Sequence, residues 1–106
     1  MSPVTVLAPV KLAAGVNEAQ LLAGSQKFQD DFVAHEPGVL RREMVRKPDG
    51  TYLDIVQFRS EADMGDILEK EMKSPVCAAF FALMDMSDYD PEAPMETHVS
   101  LATYTR

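Results

Sequence analysis

The chain has 106 residues, of which 46% are hydrophobic and 25% are charged, and its formal net charge is −7. This length predicts a single domain, residues 1–106, with the composition of an ordinary globular protein. The negative charge argues against binding to nucleic acid or to anionic membranes, because both interactions need a basic surface. We interpret the charge as a contribution to solubility.

Several further classes of protein are excluded by what the sequence lacks. Cys77 is the only cysteine, which rules out an intrachain disulfide and a cysteine-rich zinc site. Residues 1–15 lack the basic segment of a signal peptide, and no apolar run approaches the ~20 residues of a membrane helix. We therefore expect a cytoplasmic location. Phosphate-binding glycine loops and clustered metal ligands are also absent, so we expect no metal, flavin or nicotinamide cofactor.

The first third of the chain predicts a strand followed by a helix. Residues 3–13 alternate between two largely apolar sets, so both faces of this strand are expected to be covered. The helix begins at Asn17, a good N-cap, and Gln20 stands where a capping box needs it. It ends in residues 35–38, where Pro37 disfavours the helical conformation of the residue before it.

A hairpin is predicted in the middle of the chain. Two β-rich segments, residues 39–47 and 51–60, flank Pro48-Asp49-Gly50. Asp-Gly between two such segments is a strong hairpin signal, because glycine accepts the positive φ that a tight reversal needs.

The remaining residues predict two consecutive helices and a last strand. Ser60 caps the first of these helices, and Ser74 caps the second after a kink near Lys73. An acidic loop, residues 85–94, leads to a strand over residues 95–104. The positions predicted to be buried in the two helices are Met64, Ile67, Leu68, Met72, Val76, Ala79, Phe80 and Leu83.

The resulting order, β-α-β-β-α-β, predicts an α+β fold. It closes most simply as a ferredoxin-like plait, a four-stranded antiparallel sheet with the helices on one face. The other face of the sheet keeps apolar residues, which is typical of an interface. We expect a second copy of the chain to pack on that face and form a homodimer.

Four segments are informative beyond the order of elements: EPGVL (36–40), YLDIVQF (52–58), SEAD (60–63) and SPVCAAFF (74–81). With these segments the sequence resembles the dimeric α+β barrel superfamily, and most of all its antibiotic biosynthesis monooxygenase branch. The likeness spans nearly the whole chain and implies a homodimeric barrel. Members of this superfamily bind small aromatic or hydrophobic molecules between sheet and helices, and some oxidise polycyclic substrates without a cofactor.

His98 and Tyr104 are candidates for chemistry because they share a predicted face of the last strand with Ser100. A histidine beside a phenol can relay a proton near neutral pH. The alternative is an interfacial histidine that is satisfied by a neighbouring hydrogen-bond partner. His35 needs no functional role, because a cation at a helix C-terminus stabilises the helix dipole.

Asp54 is the third candidate, since it lies on an apolar strand face and is flanked by Leu53 and Ile55. A charge at such a position must be paired or hydrogen-bonded. Arg41 or Arg42 on the neighbouring strand is the expected partner. In a structural role this pair fixes the register of the hairpin, and in a functional role Asp54 is a general base in a cavity.

Two functions remain open at this level. The first is a cofactor-independent, monooxygenase-like enzyme for small hydrophobic or aromatic molecules, with His98, Tyr104 and Asp54 as its catalytic groups. The second is a non-catalytic homodimer that binds a small molecule or serves a structural purpose. A closed apolar cavity with two convergent polar side chains favours the enzyme, whereas a filled core favours the structural dimer.

Overall fold

The computed structural model describes residues 2–90, 92–93 and 95–106. Within these residues the chain forms four strands and three α-helices, and a short 3₁₀ turn at Val33–His35 follows the first helix. In chain order the elements are β1 Val4–Val10, α1 Glu18–Asp31, β2 Val39–Arg46, β3 Tyr52–Phe58, α2 Glu61–Glu71, α3 Pro75–Phe81 and β4 Glu96–Val99.

The four strands form one antiparallel sheet in the order β2-β3-β1-β4, which confirms the predicted plait. The hairpin between β2 and β3 reverses where it was predicted, since Gly50 has a φ of +88° and its N–H donates to Lys47. A glycine adopts this conformation without the steric cost that a side chain would add.

All three predicted helix caps are present. Asn17 and Gln20 form a reciprocal capping box, in which each side chain accepts from the other residue's backbone N–H at 2.8–2.9 Å. The Ser60 hydroxyl accepts from the N–H of Asp63 at 3.1 Å, and Ser74 caps α3. These caps satisfy N–H groups that have no partner within the helix, so local sequence determines where each helix begins.

The helices pack on one face of the sheet and enclose the core. In β1, Val4, Val6 and Val10 face the helices and are at most 4% exposed. At Gly24 on α1, an added Cβ would collide with the end of the Leu83 side chain, which would have to shift. The other main core residues are Leu21, Phe28, Val33, Tyr52, Phe58, Ile67, Cys77 and Phe80.

Three sequence-based predictions about these elements are wrong in detail. Met72 is 87% exposed, because α2 ends at Glu71 and its apolar stripe does not continue. Ala79, on the outer side of α3, is exposed as well. β4 pairs with β1 only up to Val99, whereas residues 100–106 are not in a strand and were predicted to extend β4 to residue 104.

We call the side of the sheet away from the helices the open face. Leu7, Leu53 and Ile55 are partly buried there, and residues 100–106 cross part of it. Gln57 on β3 donates from Nε2 to Thr103 Oγ1 at 3.0 Å, which holds this C-terminal segment against the sheet. None of the helices in the described ranges has the length and hydropathy needed to cross a bilayer.

Candidate functional site

Asp54 lies on the helix-facing side of β3, and its side chain is 9% exposed. Arg42 of β2 is its partner, because the Arg42 Nε donates to both carboxylate oxygens at 3.0 Å. This confirms the predicted pairing with an arginine of the second strand. The other candidate, Arg41, points to the open face and pairs with Glu43 at 2.8 Å on the surface.

The Arg42 guanidinium is held from the helix side as well. Its Nη2 donates to the Ser25 hydroxyl at 2.8 Å and its Nη1 to the Ser25 carbonyl at 3.3 Å. Its central carbon lies 4.9 Å from the ring centroid of Phe28 and 5.4 Å from that of Phe80. These two rings stack on each other at 4.7 Å. The cation is therefore fixed between a strand carboxylate, a helix hydroxyl and an aromatic surface.

Local sequence explains how Ser25 and Phe28 reach this position. Leu21, Ser25 and Phe28 are the buried residues of α1, and their spacings of four and three place them on one face of the helix. This periodicity does not indicate that Ser25 meets a cation.

Glu71, the last residue of α2, is the functional candidate that sequence reasoning missed. It stands four residues after the buried Ile67 and is itself only partly exposed. Its pKa is raised from the ordinary 4.5 to about 7, chiefly by burial and then by the nearby Asp54 carboxylate, whereas the Arg42 guanidinium opposes the shift. The available signal was an acid on the apolar stripe of a helix.

Together Arg42, Asp54, Ser25 and Glu71 form what we call the charge cluster, located between the sheet and the helices. Burial also raises the pKa of Asp54, and the Arg42 guanidinium opposes this shift. The cluster holds two carboxyl groups but a single guanidinium. Such a group of acids in a poorly solvated layer can take up or release a proton near neutral pH.

Cys77 packs beside this layer and is fully buried. Burial raises the pKa of its thiol, so at neutral pH it is a packed apolar group and not a thiolate nucleophile. Cys77 thus serves as a small hydrophobic core residue.

His98 and Tyr104 lie on the opposite side of the sheet from Asp54. The His98 Nε2 is 2.9 Å from a Glu96 carboxylate oxygen and its side chain is 61% exposed. Tyr104 is 91% exposed. Both line an open cleft of about 330 Å³ on the open face, together with Arg41 and Gln57. The protomer thus brings His98 and Tyr104 to one cleft but places Asp54 elsewhere, and a catalytic role for the three residues remains a prediction.

Hydroxyl groups form the floor of this cleft. The Ser100 Oγ lies 2.7 Å from the Thr5 Oγ1 and accepts from the Gln57 Nε2 at 3.2 Å. Gln57 is 7% exposed although no helix covers its side of the sheet. Its burial results from the C-terminal segment, which therefore shapes the cleft.

The two clefts of the described residues do not reach the carboxyl groups of the charge cluster. The second cleft, of about 220 Å³, is open and is lined by Glu36, Leu40 and Arg42, and neither cleft is lined by Asp54 or Glu71. The layer that holds the charge cluster is filled by side chains such as Phe28 and Phe80. In the part of the chain that the structure covers, no three His, Cys, Asp or Glu residues are grouped as a metal site would require.

Comparison with solved structures identifies the fold. SnoaB, a cofactor-independent oxygenase from Streptomyces nogalater, is 19% identical with a TM-score of 0.66, covering 99% of this chain and 97% of that chain. A protein from Chloroflexus aurantiacus, described as an antibiotic biosynthesis monooxygenase, is 13% identical with a TM-score of 0.63, covering 98% of both chains. The chain therefore has the fold of antibiotic biosynthesis monooxygenases, as the sequence resemblance predicted.

The same fold is also found in an enzyme that is named for a different reaction. A hydroxynitrile lyase from Passiflora edulis is 14% identical with a TM-score of 0.57, covering 98% of both chains. The sequence matches no family model, and it has no match among curated proteins. The structural likeness accordingly identifies the architecture, and the reaction has to be argued from the site.

Proposed function

We propose that the protein is a single-domain, homodimeric enzyme of the cofactor-independent, monooxygenase-like class, acting on a small aromatic or hydrophobic molecule. The observation that carries this proposal is the buried Arg42–Asp54 ion pair between sheet and helices, whose charges also shift the pKa of Glu71. A core built for stability gains little from such groups, because apolar replacements of a buried ion pair are often neutral or stabilising. The shared fold with SnoaB supports the reaction class by analogy.

The surroundings of Arg42 suit an aromatic ligand. Arg42 lines the cleft near Glu36 and Leu40, so a ligand there would approach a cation that aromatic faces attract, beside the buried rings of Phe28 and Phe80. Asp54 and Glu71 supply groups for proton transfer at the same place. A substrate that combines an aromatic ring with a weakly acidic group would use both features.

The homodimer is supported by apolar side chains that the protomer leaves uncovered. On the C-terminal segment Leu101 is 94% and Tyr104 is 91% exposed, and Tyr104 lines the same cleft as the partly buried Ile55 of the open face. A second copy packed on this face would cover these residues and the cleft that contains His98. In that arrangement His98 and Tyr104 belong to the interface, and a catalytic role for them requires a site shared by both protomers.

Sedimentation equilibrium at micromolar concentration tests the dimer. We expect a mass of twice 11.7 kDa for the native chain and a monomer for Ile55→Asp, because the new carboxylate would be desolvated between the two sheets. Leu22→Asp is the control, since Leu22 lies on α1 and is 51% exposed. A native chain that sediments only as the 11.7 kDa species would contradict the homodimer.

Oxygen uptake tests the enzymatic activity. Chelator-treated protein is incubated with a panel of bicyclic and tricyclic phenols, and the products are identified by mass spectrometry. We expect turnover that a chelator does not reduce and that Asp54→Asn abolishes. His98→Ala tests the contribution of the histidine at the proposed interface. His35→Ala is the control, because His35 lies on the 3₁₀ turn and has no proposed role in the reaction.

The alternative function, a non-catalytic binding or structural homodimer, is supported by one observation. The layer around the charge cluster is filled, with Leu21 and Cys77 fully buried beside it. Absence of turnover across the whole panel, in a folded dimer, would favour this alternative. Binding of a phenol without oxygen uptake would specify it as a carrier.

A further inference from the structure

We propose that the second cleft binds a neutral molecule of one or two aromatic rings through a hydroxyl or carbonyl oxygen, and that Gln29 is its specificity-determining residue. We call this space the edge cleft. It has a volume of about 220 Å³ and is lined by Gln29 of α1, Ala34 of the 3₁₀ turn, and Leu40 and Arg42 of β2, among others. The inference rests on the proposed function, because it assigns the place where that substrate binds.

Arg42 connects the edge cleft with the charge cluster. It lines the edge cleft, whereas Ser25, Asp54 and Glu71 line neither of the two described clefts. A guanidinium has five N–H groups, and the bonds to Asp54 and Ser25 use one on each of the three nitrogens. Among the described residues, the second N–H of each terminal nitrogen has no acceptor. A buried donor without an acceptor costs free energy, so a ligand oxygen that accepts from Arg42 binds favourably.

Gln29 supplies a polar group from the helix side of the edge cleft. It lies in the last turn of α1, directly after Phe28, whose ring centroid is 4.9 Å from the Arg42 guanidinium carbon. Gln29 is partly exposed, and in the part of the chain that the structure describes its amide makes no side-chain hydrogen bond. Because an amide both donates and accepts, it can bind a hydroxyl or a carbonyl oxygen.

A bulge in β2 shapes the apolar wall of the edge cleft. The register between β2 and β3 shifts between Val39 and Arg41, so Leu40 has no partner residue on β3. Leu40 is 50% exposed and lines the cleft together with Val33 and Pro37. Bulges re-aim side chains and are frequent beside functional sites. An apolar wall with a few polar groups is the usual lining of a small-molecule site.

The size of the edge cleft limits the ligand. Sites for drug-sized molecules have volumes of about 300–1,000 Å³. The edge cleft, at about 220 Å³, is smaller than this range. We therefore expect one or two rings and not three.

The charges at the edge cleft favour a neutral ligand, because each charged side chain that lines it already has a partner of opposite charge. Glu36 is 11% exposed, and the Lys70 Nζ donates to both of its oxygens at 2.8 and 3.2 Å. A ligand carboxylate would find no unpaired cation there and would have to be desolvated without compensation. A phenol or a ketone avoids this cost. The three ion pairs are Arg42–Asp54, Arg41–Glu43 and Lys70–Glu36.

Titration of ¹⁵N-labelled protein with 1-naphthol tests the site by NMR, with Gln29→Ala to assign the side-chain amide signal of Gln29. We expect this signal to shift until the site is saturated. Gln29→Ala should weaken binding about 3–10-fold, the effect of one lost hydrogen bond. Gln26→Ala is the matched control and should not change the affinity, because Gln26 is an exposed residue of the same helix that pairs with Asp30 at 2.9 Å. An unshifted Gln29 signal, or an unchanged affinity in Gln29→Ala, would overturn the inference.

Comparison with 1-naphthoate tests the charge of the ligand. We expect 1-naphthoate to bind roughly tenfold more weakly than 1-naphthol, because its carboxylate has no free cation at the edge cleft. An affinity for 1-naphthoate equal to or above that for 1-naphthol would contradict a neutral ligand.

Filling the edge cleft separates the inference from the proposed function. Ala34→Phe adds a ring at an exposed position of the lining, and Ala23→Phe adds the same ring at an exposed position of α1 outside the cleft. We expect Ala34→Phe to abolish both 1-naphthol binding and the oxygen uptake, and Ala23→Phe to change neither. Oxygen uptake that persists in Ala34→Phe would exclude the edge cleft as the substrate site and leave the proposed function standing. Binding of 1-naphthol at Gln29 without oxygen uptake from any phenol would support the site and contradict the enzyme.

Discussion

Replacing Asp54 by alanine is expected to lower the free energy of unfolding by about 3–5 kcal/mol, the range typical of breaking a buried ion pair. The substitution leaves the Arg42 side chain, which is 7% exposed, without a counter-ion. The hydrogen bonds that the guanidinium donates to Ser25, and the adjacent phenylalanine rings, do not neutralise its charge. Urea unfolding at neutral pH measures the effect.

Two variants show whether the loss comes from the unpaired charge. Arg41→Ala removes an exposed partner on the same strand, and we expect a change within about 1 kcal/mol. The double variant Arg42→Met/Asp54→Leu should recover most of the unfolding free energy that Asp54→Ala loses. It removes both charges and fills the same space with apolar side chains. Coincident urea curves for Asp54→Ala and the native chain would show that the pair contributes nothing.

The second large effect concerns Glu71 and the pH dependence of stability. Its pKa is about 7 in the folded protein and 4.5 as an ordinary glutamate, so the folded state binds this proton more tightly than the unfolded state. The resulting stabilisation is complete below pH 4.5, declines as the pH rises, and is lost above about pH 7. At 1.36 kcal/mol per pKa unit, the loss across this window is about 3 kcal/mol.

Glu71→Gln should remove this dependence, since an amide does not titrate. The difference between the native chain and Glu71→Gln, measured by urea unfolding at several pH values, isolates the contribution of this one carboxyl. Glu69→Gln repeats the substitution at an exposed position of α2. We expect this variant to show the same dependence of the unfolding free energy on pH as the native chain. If the free energy of unfolding changes with pH in the same way for the native chain and for Glu71→Gln, Glu71 does not hold a proton in the folded state.

Much of the fold was predictable because its signals are local. Asn17 with Gln20, and the serines at positions 60 and 74, cap the helices that they were predicted to cap. Gly50 supplies the positive φ of the hairpin. Each of these signals depends on residues only a few positions apart, which hydrogen-bond the same way wherever the segment lies in the protein.

The site was only partly predictable, since it depends on contacts between distant segments. The alternation of residues within one strand does not show which of its faces lies on the same side of the sheet as a given face of another strand. The sheet register decides this, placing His98 opposite Thr5 on the open face and Asp54 opposite Ala8 on the helix-facing side. Glu71 was missed for the same reason, because nothing near it in sequence indicates that α2 delivers it to β3.

The end of β4 has a similar explanation. Alternation of residue types continues past Val99, so the pattern predicted a strand to residue 104. The chain instead crosses the open face, where Gln57 and Thr5 bind the hydroxyls of Ser100 and Thr103. The partners that end the strand lie more than forty positions away in sequence, where no local pattern can indicate them.

The central claim is that the charge cluster between sheet and helices, and not the cleft on the open face, receives the ligand. NMR of the arginine Nε–H groups during titration with 1-naphthol tests it most directly, with Arg42→Lys to assign the signal. We predict that 1-naphthol shifts the Arg42 Nε–H resonance and gives proton contacts to the ring of Phe28, which lies 4.9 Å from the guanidinium carbon. Shifts confined to Gln57, His98 and Tyr104, with the Arg42 resonance unchanged, would contradict it.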